Sequence, residues 1–198
     1  MSELDRAAAA IETGKLVVYP TETVYGLGAD ALDPAAVEAV FAAKRRERAK
    51  PISLAVASVA AASAVVRLSD RERQFADRFL PGPVTLLCER RESVPDVLVA
   101  GRDRVGLRVP DCEFALSLAE RTGPITATSA NVSGRPAASR VDELDAEIRE
   151  RAAVVVDGGE TPGSASTVVD VSEGRILRAG LEAGTIREWL DRAGHSRP

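Results

Sequence analysis

The sequence alternates short apolar runs with longer amphipathic stretches, and this alternation limits the fold more than any other feature. Apolar runs of about four to eight residues are typical of buried strands, and apolar residues at i, i+3 and i+4 are typical of helices. The stretch 33–46 is the clearest helix, because Asp33 can cap it and Pro34 fits its first turn. Further helices are predicted at 3–13, 58–66, 69–79, 112–122, 142–151 and 184–193, and strands at 15–20, 51–57, 81–89, 105–110, 124–129, 153–157, 167–171 and 175–179.

Several of the predicted strands follow one another without a helix between them. This order predicts an α/β fold with a mixed sheet and flanking helices, rather than a purely parallel, doubly wound sheet. The 198 residues fit one domain or a compact pair of sub-domains, and we expect a single domain spanning 1–198. Ligands of such folds collect beyond the strand ends, so the polar loops that follow the strands are expected to share one site.

Composition argues against a dedicated nucleic-acid-binding protein. The formal net charge is −4, whereas domains that bind duplexes are usually basic. Aromatic residues make up 4% of the chain, whereas proteins that bind single strands stack bases on aromatic rings.

Histidine and cysteine are too sparse for several common kinds of site. The single histidine, His195, lies near the chain end, which argues against a histidine-based triad and against a multi-histidine metal site. Cys88 and Cys112 are isolated from each other, as in proteins of the reducing cytoplasm. No apolar run approaches the ~18 residues of a membrane span, so we expect a cytoplasmic protein without a membrane anchor.

The familiar nucleotide-binding and hydrolase motifs are missing. The sequence contains no G-x-x-x-x-G-K-[ST] loop and no G-x-S-x-G elbow. The "GLG" at 26–28 lacks the third glycine and the following helix of a dinucleotide fingerprint. Any nucleotide site must therefore be built from other elements.

Two clusters of polar residues follow the first strand and the clearest helix. In "PTETVYGLG" (20–28), alternation along an extended chain would place Thr21 and Thr23 on one side and Glu22 on the other; a plain strand–turn–strand corner is the alternative. In "KRRERAKP" (44–51), some of the cations can stabilise the helix dipole. The remaining cations would suit a phosphate or a carboxylate, since Lys44 and Arg46 share one face of an extended segment.

A third cluster, "ITATSANVSG" (125–134), begins as a buried strand and then presents hydroxyl and amide groups without charge. Such side chains and the backbone N–H groups can hold phosphate oxygens. An Asx or Ser/Thr turn is the alternative. In a fourth cluster, Arg108 and Arg178 interrupt apolar strands, so each is either paired or facing a ligand, unless its strand is an exposed edge.

Together these clusters favour nucleotidyl transfer, which depends on positioning and charge neutralisation more than on a protein nucleophile. A divalent ion such as Mg²⁺ would be carried by the nucleotide phosphates, so no protein-ligated metal is expected.

The motifs "PTETVYGLG", Lys44-x-Arg46, "PGPVT", "RVP", "SANVSG" and "STVVD…ILRAG" occur in that order and resemble the YrdC-type threonylcarbamoyl-AMP synthase family. The resemblance extends from about residue 5 to about residue 190. It implies a single YrdC-like domain whose twisted mixed sheet surrounds a large concave, positively lined cavity.

The resemblance also implies a reaction and its partners. L-threonine, bicarbonate or CO₂, and ATP would give threonylcarbamoyl-AMP and pyrophosphate. A separate transferase complex would then pass the threonylcarbamoyl group to an adenosine of tRNA, which makes threonylcarbamoyladenosine (t⁶A). Contact with tRNA or double-stranded RNA remains an open expectation.

The same resemblance implies roles for ten residues. Lys44 and Arg46 would be catalytic, since they would neutralise charge at the α-phosphorus. The threonine-binding residues would be Thr23, Arg108 and Ser166. The nucleotide-binding residues would be Lys44, Arg46, Lys50, Ser129, Asn131, Ala137 and Arg178.

Three positions depart from the family pattern. Ala55 and Cys112 stand where histidines are common, and Arg104 stands where a threonine is common. The change at Ala55 affects one expected threonine contact.

Two other functions remain open on the sequence. One is an RNA-binding module that uses the 44–50 patch without catalysis. The other is a carbamoyl-transfer domain of the hydrogenase-maturation kind, although the chain lacks the zinc-finger-like cysteines and acyl-phosphatase-like extension expected for it.

Overall fold

The computed structural model describes residues 1–194, and His195 lies outside them. The helices are α1 (Glu3–Glu12), α2 (Pro34–Lys44), α3 (Val59–Ala62), α4 (Asp70–Phe79), α5 (Asp96–Val99), α6 (Glu113–Thr122), α7 (Ala146–Arg151) and α8 (Ala183–Gly194), with a 3₁₀ turn at Val141–Glu143. The strands are β1 (Leu16–Tyr19), β2 (Gly26–Gly28), β3 (Ser53–Ala55), β4 (Val66–Arg67), β5 (Val84–Arg90), β6 (Arg104–Arg108), β7 (Ile125–Ala127), β8 (Ala152–Val155), β9 (Thr167–Asp170) and β10 (Arg175–Arg178).

The strands form two mixed sheets, as the strand order predicts. In the smaller sheet, β1 lies between antiparallel β2 and parallel β8. The larger sheet has the order β10-β9-β5-β6-β3-β7, with parallel pairs at β5–β9 and β3–β6 and antiparallel pairs elsewhere along it. Isolated bridges from Gly26 to Ser129 and from Asp30 to Ile125 join β2 and its loop to the segment around β7.

Most of the predicted elements are present, with ends shifted by a few residues. The prediction of a helix over 58–66 is wrong at its end, because Val66 and Arg67 pair with the end of β5 as strand β4. Helix α5 was not predicted. The predicted helix 142–151 is a 3₁₀ turn followed by α7.

Helix α2 ends at Lys44 because Arg45 adopts a left-handed conformation, with φ 47° and ψ 39°. This turn directs the chain after Lys44 away from the helix axis, so Arg46 lies in the connection towards β3. The basic cluster is thus divided between a helix end and a loop.

The larger of two apolar core clusters lies between the sheets and α2, α4 and α5. It contains the fully buried side chains of Phe41, Leu54, Leu86 and Leu107. A second cluster, around Ile11 and Leu118, packs α1 and α6 against the smaller sheet. The last residues of β3 and β6, Ala55 and Arg108, line the cavity in which the candidate site lies.

Candidate active site

A cavity of about 260 Å³ lies where the predicted clusters meet. Seven of the ten predicted site residues line it: Thr23, Arg46, Arg108, Ser129, Ala137, Ser166 and Arg178. The loops that carry these seven residues therefore meet at one cavity. The volume is slightly below the ~300 Å³ at which common ligand sites begin, so the large cavity that the resemblance implies stays a prediction.

Lys44 is buried behind the serine–asparagine loop, and it does not line the cavity. Its ammonium group donates to the carbonyl oxygen of Ser129, to the carbonyl oxygen of Asn131 at 2.8 Å and to Asn131 Oδ1 at 3.4 Å. An ammonium group has three protons, and these contacts use all of them. Lys44 therefore joins the basic cluster to the loop rather than pointing into the cavity.

Arg46 and Arg178 face the cavity with charges that no carboxylate within residues 1–194 pairs. Arg46 donates from Nε to the carbonyl oxygen of Lys50 and from Nη2 to that of Pro51, each at 2.9 Å. Arg178 donates to the carbonyl oxygen of Ser166 at 3.0 and 3.2 Å and to its hydroxyl at 2.9 Å. Neutral acceptors fix both side chains and leave their positive charge available to an anion.

Arg108 is anchored differently. Its Nη2 donates to Glu22 Oε1 at 2.5 Å and to Thr23 Oγ1 at 3.2 Å, and both side chains of the ion pair are almost 90% buried. Glu22 Oε2 is buried without a hydrogen-bond partner. The prediction that Glu22 points away from the threonines is wrong, because the backbone bends at 22–24 and brings Glu22 and Thr23 to the same guanidinium group.

The loop after β7 has fewer free donors than the sequence suggests. The backbone N–H groups of Ala130, Asn131 and Val132 already donate to Tyr25 O, Ser129 O and Asp145 Oδ2. These three N–H groups are thus already bonded within the protein, and phosphate binding by the loop stays a prediction. The Ser129 hydroxyl, which donates to Asn131 Oδ1, lies on the cavity wall.

Two predicted residues besides Lys44 lie outside the cavity lining. Asn131 is buried, and its Nδ2 donates to the carbonyl oxygens of Val132 and Arg135 at 3.0 and 2.7 Å, so it shapes the loop from within. Lys50 is exposed and pairs with Glu47 at 2.8 Å. Its predicted nucleotide contact stays a prediction.

The glycines of β2 allow the loop to approach Tyr19. A Cβ atom on Gly26 would lie 2.8 Å from the Tyr19 ring, and one on Gly28 would lie 2.9 Å from it. The ring itself is buried, and its hydroxyl donates to Thr126 O at 3.3 Å. Because Gly26 also bridges to Ser129, this close packing positions the serine loop.

Burial raises the electrostatic cost of these cations. It lowers the pKa of Lys44 to about 7, with Arg46 adding to the effect and Asp145 opposing it. Burial also lowers the pKa of Arg46, assisted by Arg178, and the pKa of Arg178, assisted by Arg108. Like charges that lower one another's pKa values are relieved when an anion binds between them.

Arg104, one of the departures from the family pattern, lies in a network of acidic and carbonyl acceptors. It donates to Asp170 at 2.7 Å, to Leu87 O at 2.7 Å and to Glu72 at 3.5 Å, at the end of β6 opposite to the cavity. The sequence marked this position only as an arginine where the family often has a threonine, and this signal does not distinguish a buried ion pair from a ligand contact.

Fold and site together define a mixed α/β domain with a cation-lined cavity whose walls include loops beyond the strand ends. The chain belongs to the Sua5_yciO_yrdC family, described as "Telomere recombination", whose family model matches residues 9–180.

Named relatives agree with this membership. The threonylcarbamoyl-AMP synthase of Pyrococcus abyssi is 42% identical over 170 residues, which cover 84% of this chain and 50% of that protein. A putative threonylcarbamoyl-AMP synthase of Mycobacterium leprae is 41% identical over 178 residues, with coverages of 88% and 81%. The crystal structure of P. abyssi Sua5 complexed with L-threonine has a TM-score of 0.83 and 40% identity, and it is matched over 91% of this chain and 55% of that one.

The chain spans about half the length of the P. abyssi relative, so its match concerns that part alone. Within residues 1–194, no helix combines the length and the apolar character needed to cross a bilayer. The described residues also contain no group of three or more His, Cys, Asp or Glu side chains placed to hold a metal ion.

Proposed function

We propose that this chain is an L-threonylcarbamoyladenylate synthase, which converts L-threonine, bicarbonate or CO₂, and ATP to threonylcarbamoyl-AMP and pyrophosphate. The observation that carries the proposal is the convergence of Arg46, Arg178 and the Lys44-bound serine loop on one cavity. Relatives named for this activity, at 41–42% identity, support the same reaction.

The reaction has two chemical steps. First, the threonine amine attacks the carbon of bicarbonate or CO₂ and becomes an N-carboxylate; with bicarbonate, water is released. Second, a carbamate oxygen attacks the α-phosphorus of ATP, and the bond to the bridging oxygen of pyrophosphate breaks. Charge therefore builds up on the leaving pyrophosphate, where cations lower the barrier.

The residues divide this work between them. Arg46 and Arg178 would bind the phosphates through the guanidinium N–H groups that are not bonded to the carbonyl oxygens of Lys50, Pro51 and Ser166. Lys44 would neutralise charge from behind the loop while it holds the carbonyls of Ser129 and Asn131. The Ser129 hydroxyl would contact a phosphate oxygen once its proton leaves Asn131 Oδ1.

The threonine end of the cavity would be formed by Arg108, Thr23 and Ser166. Arg108 is the cation suited to the substrate carboxylate, and the two hydroxyl groups suit the polar part of the amino acid. Ala137 would line the adenine side, and Lys50 would reach a phosphate from the surface.

Mg²⁺ would enter with ATP, and the donor set fits this assignment. Glu22, the acid next to the cavity, already forms an ion pair with Arg108. The ion would therefore be held by phosphate oxygens. When bound, it would offset part of the negative charge of the phosphates.

The product would be consumed by a transferase complex that modifies tRNA to t⁶A, with or without direct contact between this chain and RNA. The two isolated cysteines, neither in a disulfide, fit the cytoplasmic location that this role requires.

Release of pyrophosphate tests the proposal directly. Purified protein with threonine, bicarbonate, ATP and Mg²⁺ should release pyrophosphate well above a threonine-free control. Equal release in both samples would reject the synthase function. Carbamoyl phosphate in place of threonine and bicarbonate should support no ATP turnover, and turnover would favour the carbamoyl-transfer alternative.

A further inference from the structure

We propose that Glu22 is a specificity-determining residue that divides the cavity into a cationic half for phosphates and a charge-balanced half for a zwitterionic amino acid. The inference rests on the proposed function. It starts from the different partners of the three arginines that line the cavity, Arg46, Arg108 and Arg178.

Arg46 and Arg178 form the cationic half. Their hydrogen-bond acceptors are the carbonyl oxygens of Lys50, Pro51 and Ser166 and the Ser166 hydroxyl, all neutral. Two nearby guanidinium groups without an acid between them attract a polyanion such as a triphosphate or pyrophosphate.

Arg108 forms the balanced half. Glu22 accepts from its Nη2 at 2.5 Å, and the pair is nearly 90% buried, so bulk water screens the two charges little. The second carboxylate oxygen, Oε2, is buried without a hydrogen-bond partner, so its charge is not neutralised by a further donor. A phosphate near Arg108 would therefore be repelled by Glu22.

An amino acid suffers no such repulsion, because its own ammonium and carboxylate groups sum to zero charge. Arg108 keeps donors that Glu22 and Thr23 do not use, since both contacts are made by Nη2. Those donors can bind a substrate carboxylate while Glu22 keeps the guanidinium group in place. Glu22 thus favours threonine over a misplaced phosphate at this end.

Calorimetric titration of inorganic pyrophosphate and L-threonine, separately and together, tests the inference. In the wild type, saturating pyrophosphate should change the Kd of threonine by less than about twofold. In Glu22→Gln, which keeps the size and one acceptor but removes the charge, pyrophosphate should bind at least about fivefold more tightly. In this variant, pyrophosphate should also raise the apparent Kd of threonine at least about fivefold, because pyrophosphate can now reach Arg108.

Two further variants separate charge from packing. Glu22→Asp keeps the charge and should keep the wild-type affinity for pyrophosphate within about threefold. Glu89→Gln removes the same charge from an exposed pair with Arg67 and should leave both ligands unaffected. Thermal melts of each variant check that it is folded.

The outcomes distinguish the two proposals. Wild-type protein that binds neither ligand would overturn the synthase function and the inference with it. Wild-type protein that binds both, together with a Glu22→Gln variant that shows the same affinities and no competition, would overturn only the role of Glu22. An Asp variant that behaves like the Gln variant would also overturn it, since charge would then not be the determinant.

Discussion

Strand β6 has an arginine at each end, and the two arginines have different hydrogen-bond partners. At one end, Arg104 is bonded to the buried carboxylate of Asp170 and approaches that of Glu72. At the other end, Arg108 shares its cavity with Arg46 and Arg178. Within residues 1–194, Glu22 is the one carboxylate bonded to any of these three arginines, and its partner is Arg108.

The comparison separates stability from function. Burial alone would raise the pKa of Asp170, but its bonds from Ser172, the Glu173 amide and Arg104 outweigh burial and lower that pKa. Ionisation of Asp170 therefore stabilises the folded state at this end of β6. At the cavity end, burial and like charges lower the pKa values of the cations, so the folded state bears an electrostatic cost that a bound anion relieves.

The largest expected effect is on stability at the Arg104 end. Asp170→Ala removes a buried partner and leaves Arg104 partly unpaired, so the free energy of unfolding should fall by about 3 kcal/mol. Urea denaturation measures this change. Arg67→Ala, which breaks the exposed pair with Glu89, is the control and should cost at most ~0.5 kcal/mol. Equal losses in both variants would contradict the comparison.

The next effect is the pH dependence of stability at the cavity end. Burial lowers the pKa of Lys44 to about 7 in the folded protein, against 10.5 for a free lysine. Between these values the unfolded chain binds more protons, so stability rises with pH in this window, and the cost of burying the charge is fully present below it.

Lys44→Met removes this dependence. Between about pH 7 and about pH 8.5, wild-type protein should gain ~2 kcal/mol of unfolding free energy relative to the variant. Urea denaturation of both proteins at the two pH values measures it. A difference that stays constant with pH would show that Lys44 keeps its proton in the folded state.

A smaller effect, now on activity, is expected for Arg46→Ala. Loss of a cation on the cavity wall should lower the rate of pyrophosphate release at least ~10-fold, which corresponds to about 1.4 kcal/mol of transition-state stabilisation. Its unfolding free energy should not decrease by more than ~0.5 kcal/mol, because the residue is held by neutral carbonyls and repelled by Arg178. An unchanged rate would remove Arg46 from the mechanism.

The smallest effect is expected at Lys50. This side chain is exposed and paired with Glu47, so Lys50→Ala should raise the KM for ATP by only about two- to threefold and leave kcat unchanged. Steady-state kinetics at varied ATP concentration measures both constants. A fall in kcat comparable to that of Arg46→Ala would place Lys50 in the cavity during turnover.

Local signals in the sequence predicted much of the fold. The cap at Asp33 and the apolar stripe located α2, and adjacent strands without a helix between them predicted the mixed sheets. Strand β4 was missed because two residues carry no periodicity, and their strand character comes from pairing with Arg90 and Glu89. Tertiary pairing of this kind is invisible to a local pattern.

For the site, residue types predicted which segments meet, but not how each side chain is used. Lys44 looked like a phosphate ligand, yet the loop's carbonyl oxygens use its protons. Glu22 looked as if it faced away, because alternation holds only for an extended chain. The acidic partners of Arg104 were not predicted, since Asp170 and Glu72 are distant from it in the chain.

The contact between the Tyr19 ring and the glycines of β2 has a consequence for mutational tolerance. In a library covering every position, alanine is usually among the mildest replacements. At Gly26 it should instead score with the most damaging ones, because even a methyl group meets the ring at 2.8 Å and Gly26 is bridged to Ser129. A selection for activity would then report Gly26, which has no side chain to bind a substrate, as if it were a ligand.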